Sequence, residues 1–344
     1  MQREKYIDLA KGLGIIMVIF CHVISFCDIA ELKFIFRFCY SFHMPLFFFI
    51  TGYCGGLKKD TGEKPNLFRN IRKISATLLL PYFVWSIVYL FIDGKIFNGE
   101  RLKALFTTRG IAPIWFLATL FFCQVFYFIL KSLTYKVKSK NANIIFACTA
   151  MIFLGLSFVM HRTQSVFGLS TKSMGTTLYY LYIAAGRLFI SIPVLICGYL
   201  FSKGKVLQRL KKIPCLLLGT LLITAVYFAV DFSDLEINLH LFSISNFPVF
   251  IFTAFAGATA ILMISYSLPS VSGIISLIGK DSIYFMLLHY TPFKTMSIST
   301  QALDFISNPV IFWICSSILT MLITAAGTWV LKRGFFLGKK LNSK

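Results

Sequence analysis

Apolar runs of membrane length recur from one end of this 344-residue chain to the other. A hydrocarbon core about 30 Å thick takes about 20 apolar residues in helical form to cross. Inside lipid, a helix satisfies its own backbone hydrogen bonds. Ten windows qualify: 9–27, 42–57, 74–92, 113–130, 142–160, 177–201, 213–230, 247–267, 282–298 and 309–331. The second is short, and the ninth is interrupted by Pro292 and Lys294. The expected fold is therefore all-α: a polytopic membrane helix bundle of about ten transmembrane helices, forming a single domain over residues 1–344. Residues are 57% hydrophobic and only 14% charged. Soluble domains are about 45–50% apolar, so one soluble core is excluded.

The net charge of +21 sits between the apolar runs, not on a soluble basic face, and no nucleic-acid reading motif is present, which argues against nucleic acid as a partner. With a cytoplasmic N-terminus, most of the 34 Lys and Arg residues fall in cytoplasmic segments, so the positive-inside rule puts both termini in the cytoplasm. The first apolar run lacks an Ala-x-Ala-like cleavage site and reads as a retained span. Nine cysteines include no Cys-x-x-Cys pair, and Cys21, Cys54, Cys123, Cys148, Cys197 and Cys315 lie in apolar runs. They read as small hydrophobes, not as disulfides or metal ligands. Segment 93–112 carries Lys95, Arg101, Lys103 and Arg109 although it falls outside the cytoplasm. Leu102, Leu105 and Phe106 give it one apolar helix face, which suits a helix lying on the outer surface or a groove for an anionic substrate.

Ionisable side chains inside a membrane helix are costly and mark function. Lys11 and His22 share the first run at a separation of eleven residues, close to three helical turns, so both lie on one face about 16 Å apart along the axis. His43, Arg187 and His289 come from three further windows and fall, with His22, in the outer half of the membrane. Near the inner surface, Lys11 can snorkel to lipid phosphates or clamp the phosphates of an anionic donor. Asp8, one turn earlier, can pair with it. Trp115 opens the fourth window at the outer interface, as an aromatic-belt anchor and a contact for a substrate bound there. No Gly-x-Ser-x-Gly elbow, His-Glu-x-x-His, Walker loop or Gly-x-Gly-x-x-Gly occurs. Histidine-centred acid–base chemistry with a cationic helper remains. The same residues also suit a transporter or flippase for a glycan precursor, with His and Arg lining a proton or substrate path.

Five stretches in order, YIDLAKGLGIIMVIFCH, SFHMPLFFFITGY, PIWFLATLFF, GRLFISIPVLICGYLF and IGKDSIYFMLLHY, resemble the acyltransferase 3 family of integral-membrane O-acyltransferases, and within it the fucose 4-O-acetylase-like branch. The resemblance implies a ten-helix bundle in the cytoplasmic membrane. It implies transfer of an acyl group, usually acetyl, from cytoplasmic acetyl-CoA to a hydroxyl of a cell-surface glycan or its lipid-linked precursor, with no metal. The family's basic residue followed eleven positions later by His maps onto Lys11 and His22; many members have Arg where this chain has Lys11. On that reading His22 is the general base and Arg187 stabilises the oxyanion. His43 and His289 orient His22 or the sugar, and Lys11 with Asp8 holds the donor.

Overall fold

The first run folds as α1, Lys5–Cys27, which places Asp8 at the favourable N-terminal end of the helix dipole. It stops where Asp28 turns left-handed and returns its N–H to the Ile24 carbonyl. The structure is a computed structural model that describes residues 4–58, 63–268, 273–290 and 294–341, without the side chains of Ala112 and 334–341. Pro292, used in the sequence reading, lies outside the described residues.

After α1 come α2 (Lys33–Tyr40), α3 (His43–Leu57), α4 (Leu67–Ile74), α5 (Leu80–Ile92), α6 (Gly99–Phe106) and α7 (Trp115–Leu133). Next follow α8 (Ser139–Phe167), α9 (Thr171–Met174), α10 (Thr176–Lys203), α11 (Val206–Leu210) and α12 (Lys212–Ser233). A two-stranded antiparallel hairpin, β1 (Ile237–Asn238) and β2 (Ser243–Ile244), leads to α13 (Phe247–Ser267). The chain ends with α14 (Gly273–Lys280), α15 (Ser282–Leu288), α16 (Thr295–Gln301) and α17 (Pro309–Leu341). Among the described residues, nine helical stretches are long and apolar enough to cross a membrane. Windows in α8 and α12 combine high hydropathy with only 11% and 22% burial inside the protein, so these helices present apolar surface outward, as lipid-facing helices do.

The expected ninth span is built differently from the reading at 282–298. It starts earlier, breaks at Asp281 and ends its helical run at Leu288; residues 295–301 form the separate α16. Ser276 Oγ donates to the Lys5 carbonyl at one end of this segment, and the His289 ring lies 5.2 Å from that of His22 at the other. Two short helices thus cover the stretch of α1 from Lys5 to His22. Asp281 at the break accepts from Lys332 of α17 at 2.6 and 2.7 Å.

Two glycine-mediated crossings hold the centre. A Cβ on Gly52 of α3 would lie 1.8 Å from the Leu195 carbonyl oxygen, and one on Gly198 of α10 would lie 2.0 Å from that of Phe49. Gly279 of α14 and Gly12 of α1 pack as closely, with hypothetical Cβ distances of 1.8 Å to the Asp8 oxygen and 2.0 Å to the Ile275 oxygen. Small residues let membrane helices approach backbone to backbone, where dispersion and weak polar contacts replace the hydrophobic drive. In the third span a π-helical turn, Ser75–Leu79, joins α4 to α5 ahead of Pro81. Such turns concentrate at functional positions. The helix expected in 93–112 forms as α6, but Leu105 is buried while Phe106 is 72% exposed, so the two do not share a face.

Candidate active site

Helices α1, α2, α3 and α15 bring the histidines together. His22 lines a cavity of about 550 Å³ with Tyr40, His43 and Tyr290. The His22 ring lies 5.2 Å from His289, 5.2 Å from Tyr290 and 6.3 Å from Tyr40, and Tyr40 lies 4.6 Å from His43. Three of the four residues singled out in the sequence, His22, His43 and His289, are thus gathered in one place. His43 and His289 are both buried, and each donates from Nδ1 to a carbonyl one turn back: Cys39 and Phe285, both at 2.9 Å. A carbonyl only accepts, so both rings carry their proton on Nδ1 and leave Nε2 as an acceptor. His289 Nε2 is buried without a partner among the described residues. An unsatisfied buried acceptor costs about 1–3 kcal/mol and is kept where it serves something.

The floor of a second cavity, about 210 Å³, carries Lys11 together with Thr51, Thr77, Gln124 and Ser282. Thr77 comes from the π-helical turn. Lys11, Ile15, Val18 and His22 follow one another at four, three and four residues, a single stripe along α1. Lys11 and Ile15 face the smaller cavity, Val18 and His22 the larger. Asp8 is buried one turn before Lys11 and lines neither cavity.

Arg187 and Trp115 meet at the far wall of the larger cavity. Trp115 lines it, with the Arg187 guanidinium 4.9 Å from its ring centroid. Arg187 is 1% exposed and lines neither cavity. Its two terminal nitrogens donate to the carbonyls of Arg109 (2.9 Å) and Thr108 (2.8 Å), so it fixes the loop after α6 and backs the indole. The other face of this wall holds His240, which the sequence reading passed over because it sits in a loop. Its ring lies parallel to Trp115, 6.2 Å away and tilted by 10°. Burial first, then the Arg187 and Arg109 guanidinia, hold the His240 imidazole down to about 3 against the opposing effect of hydrogen bonds with the Gly110 and Arg109 backbone. It is thus neutral at physiological pH.

The β1–β2 hairpin lines this cavity with Asn238 and Ser243, and Glu236 just before it adds a carboxylate. Two ion pairs tie the chain beside it to α2: Arg37–Asp234 at 2.6 Å and Lys33–Glu236 at 3.1 Å. Lys33 and Arg37 also line the cavity. Neither cation stood out in the sequence, since α2 lies between the apolar windows. Its facing of Lys33 and Arg37 toward 234–236 is a tertiary fact.

A polytopic helical bundle with imidazoles gathered around an internal cavity defines a class of membrane protein that can do acid–base chemistry below its surface. The family model for the acyltransferase 3 family, described as an acyltransferase domain, matches residues 4–329, and the chain belongs to that family. Among curated proteins it is similar to Nodulation protein NolL of Mesorhizobium japonicum (strain LMG 29417 / CECT 9101 / MAFF 303099), 28% identical over 124 residues. The match spans 33% of this chain and 32% of NolL, about a third of the length of that relative. No solved structure matches the chain.

Proposed function

We propose that the protein is an O-acyltransferase of the cytoplasmic membrane, moving an acetyl group from cytoplasmic acetyl-CoA to a hydroxyl of a cell-surface glycan or its lipid-linked precursor. The observation that carries this reading is the α1 stripe, which opens Lys11 into one cavity and His22 into another further along the same helix face. Lys11 supplies a point charge for the donor's phosphates. The larger cavity, lined by a polar hairpin and walled by Trp115, suits a sugar, which offers hydroxyls to polar groups and a flat apolar face to an indole.

In the reaction, the His22 imidazole takes the proton of the acceptor hydroxyl as its oxygen attacks the thioester carbonyl carbon. The carbon–sulfur bond breaks, the ester carbon–oxygen bond forms, and the CoA thiolate leaves and recovers the proton from the imidazolium. The His289 ring, 5.2 Å from that of His22, packs beside the base and restrains its orientation, with Nε2 as a neighbouring acceptor. The phenols of Tyr40 and Tyr290 beside His22 are the donors for the oxyanion. Arg187, assigned that task from sequence, lines neither cavity; its two terminal nitrogens each donate to a loop carbonyl and it supports the Trp115 wall.

The test uses purified protein in detergent with acetyl-CoA and the envelope glycan fraction of cells lacking the protein. Wild type releases free CoA thiol and forms base-labile acetyl esters on the glycan. His22→Ala loses about 10²–10⁴-fold of that rate while its elution profile and melting temperature hold. Undiminished transfer by His22→Ala, or no thiol release by wild type, overturns the reading.

A further inference from the structure

Among the described residues that line the two cavities, one lines both: Met286 of α15. The layer between the cavities is thin. On α1, Ile15 faces the smaller cavity and Val18 the larger; on α3 the same division falls between Phe47 and Met44. Each step is three residues, about 4.5 Å along a helix axis. On α15 there is no step at all, because Met286 itself is the wall. All five side chains are buried.

The parts of this layer differ in stiffness. Ile15 and Val18 are β-branched and hold one preferred rotamer in a helix. Phe47 is braced edge-on against Phe116, with ring centroids 5.7 Å apart. Met286 is unbranched, has three rotatable bonds and carries no polar group to satisfy. Met44 is as flexible but lines only the larger cavity; Met286 lines both, so its swing alone opens one into the other without moving a backbone. The Lys11-to-His22 separation of about 16 Å is too long for a donor anchored at Lys11 to reach the base unless its acyl end passes this layer.

We infer that Met286 is the specificity-determining residue of the transfer: the acyl thioester passes from the Lys11 cavity to His22 by displacing the Met286 side chain, and the space opened there sets the length of acyl group accepted. This rests on the acyltransferase reading given above. A wall residue that yields by one side chain passes a two-carbon acyl group and resists longer ones. Shortening it admits longer groups; stiffening it closes the passage without touching either the donor's anchor or the base.

Wild type, Met286→Ala, Met286→Phe and the volume-conserving Met286→Leu are compared with acetyl-CoA and butyryl-CoA in the glycan assay, with equilibrium binding of acetyl-CoA measured in parallel. Met286→Ala raises the butyryl-to-acetyl transfer ratio about tenfold, the scale on which one or two methylenes are discriminated. Met286→Phe cuts acetyl transfer by at least about tenfold while acetyl-CoA binding stays within about twofold, since the anchor is untouched. Met286→Leu keeps the wild-type ratio. Retained donor binding shows that each variant is folded. An unchanged ratio in Met286→Ala, or wild-type acetyl transfer by Met286→Phe, overturns the inference. Absence of transfer by wild type itself would overturn the acyltransferase reading instead, so the two failures are distinguishable.

Discussion

Arg187 shows what a single side chain's position adds to its depth. Sequence places this arginine inside a span, and it lies within α10, Thr176–Lys203. What sequence does not give is azimuth: the guanidinium donates to the loop after α6 and lines neither cavity. Arg187→Lys keeps the charge but has no planar fork to serve two carbonyls. Arg187→Lys is expected to lower the unfolding midpoint in detergent, and Arg187→Ala to cost about 2–4 kcal/mol, from two lost charge-assisted hydrogen bonds. A variant as stable as wild type would contradict the supporting role. His240 carries a prediction in pH. Its folded-state pKa of about 3 lies below the ordinary histidine value of 6.5. The unfolded chain therefore binds more protons between those values, and stability falls as pH drops through that window. Melting temperature measured from pH 7.5 to 4.5 should fall less steeply for His240→Gln than for wild type; identical slopes would refute the buried neutral imidazole.

The helices themselves were largely legible as elements, because a crossing of about 20 apolar residues leaves a strong hydropathy signal. Nine of the ten windows correspond to spanning helical stretches. The ninth window, 282–298, is displaced because the charged pair Lys280–Asp281 reads as a loop, whereas Lys332 of α17 neutralises Asp281 at the break and α14 continues before it. The two-helix construction therefore depends on a partner 51 residues away, which no local window sees. Helix contacts predict opposite outcomes for two glycine substitutions. Gly198→Ala drives a methyl into the Phe49 carbonyl, so α3 and α10 must separate; yield of folded protein and melting temperature should both fall. Gly155→Ala in α8 meets nothing within 4 Å and should be neutral or stabilising by up to about 1 kcal/mol through helix propensity. Equal behaviour of the two would mean that the crossing is not close-packed. The hairpin straps are weaker: Lys33–Glu236 is more than half exposed on both sides, so Lys33→Ala should change stability by no more than about 1 kcal/mol.

At the scale of the whole molecule, the sequence carried the order of events along the membrane normal. Lys11 before His22 on one face of α1 follows from counting residues along a helix. Which of the ionisable residues face a cavity, and that Lys11 and His22 face different ones, required helix rotation and neighbour identity, and these are set by the glycine crossings and by partners far apart in sequence. Tyr40, Tyr290 and Met286 carried no signal of their own: aromatic and methionine residues abound in every span, and only their juxtaposition with His22 distinguishes them.

The layer of Ile15, Val18, Met44, Phe47 and Met286 has a bioenergetic consequence. Two cavities divided by a layer one side chain thick put a continuous proton path within reach of a single rotamer change. With the apolar septum shut, the resting protein insulates, and conductance is limited to moments when cargo fills the gap. Proteoliposomes loaded with a pH-sensitive dye should hold a proton gradient as long as protein-free vesicles when they carry wild type, and lose it faster when they carry Met286→Ala. Equal retention by both would place the ion seal elsewhere in the bundle.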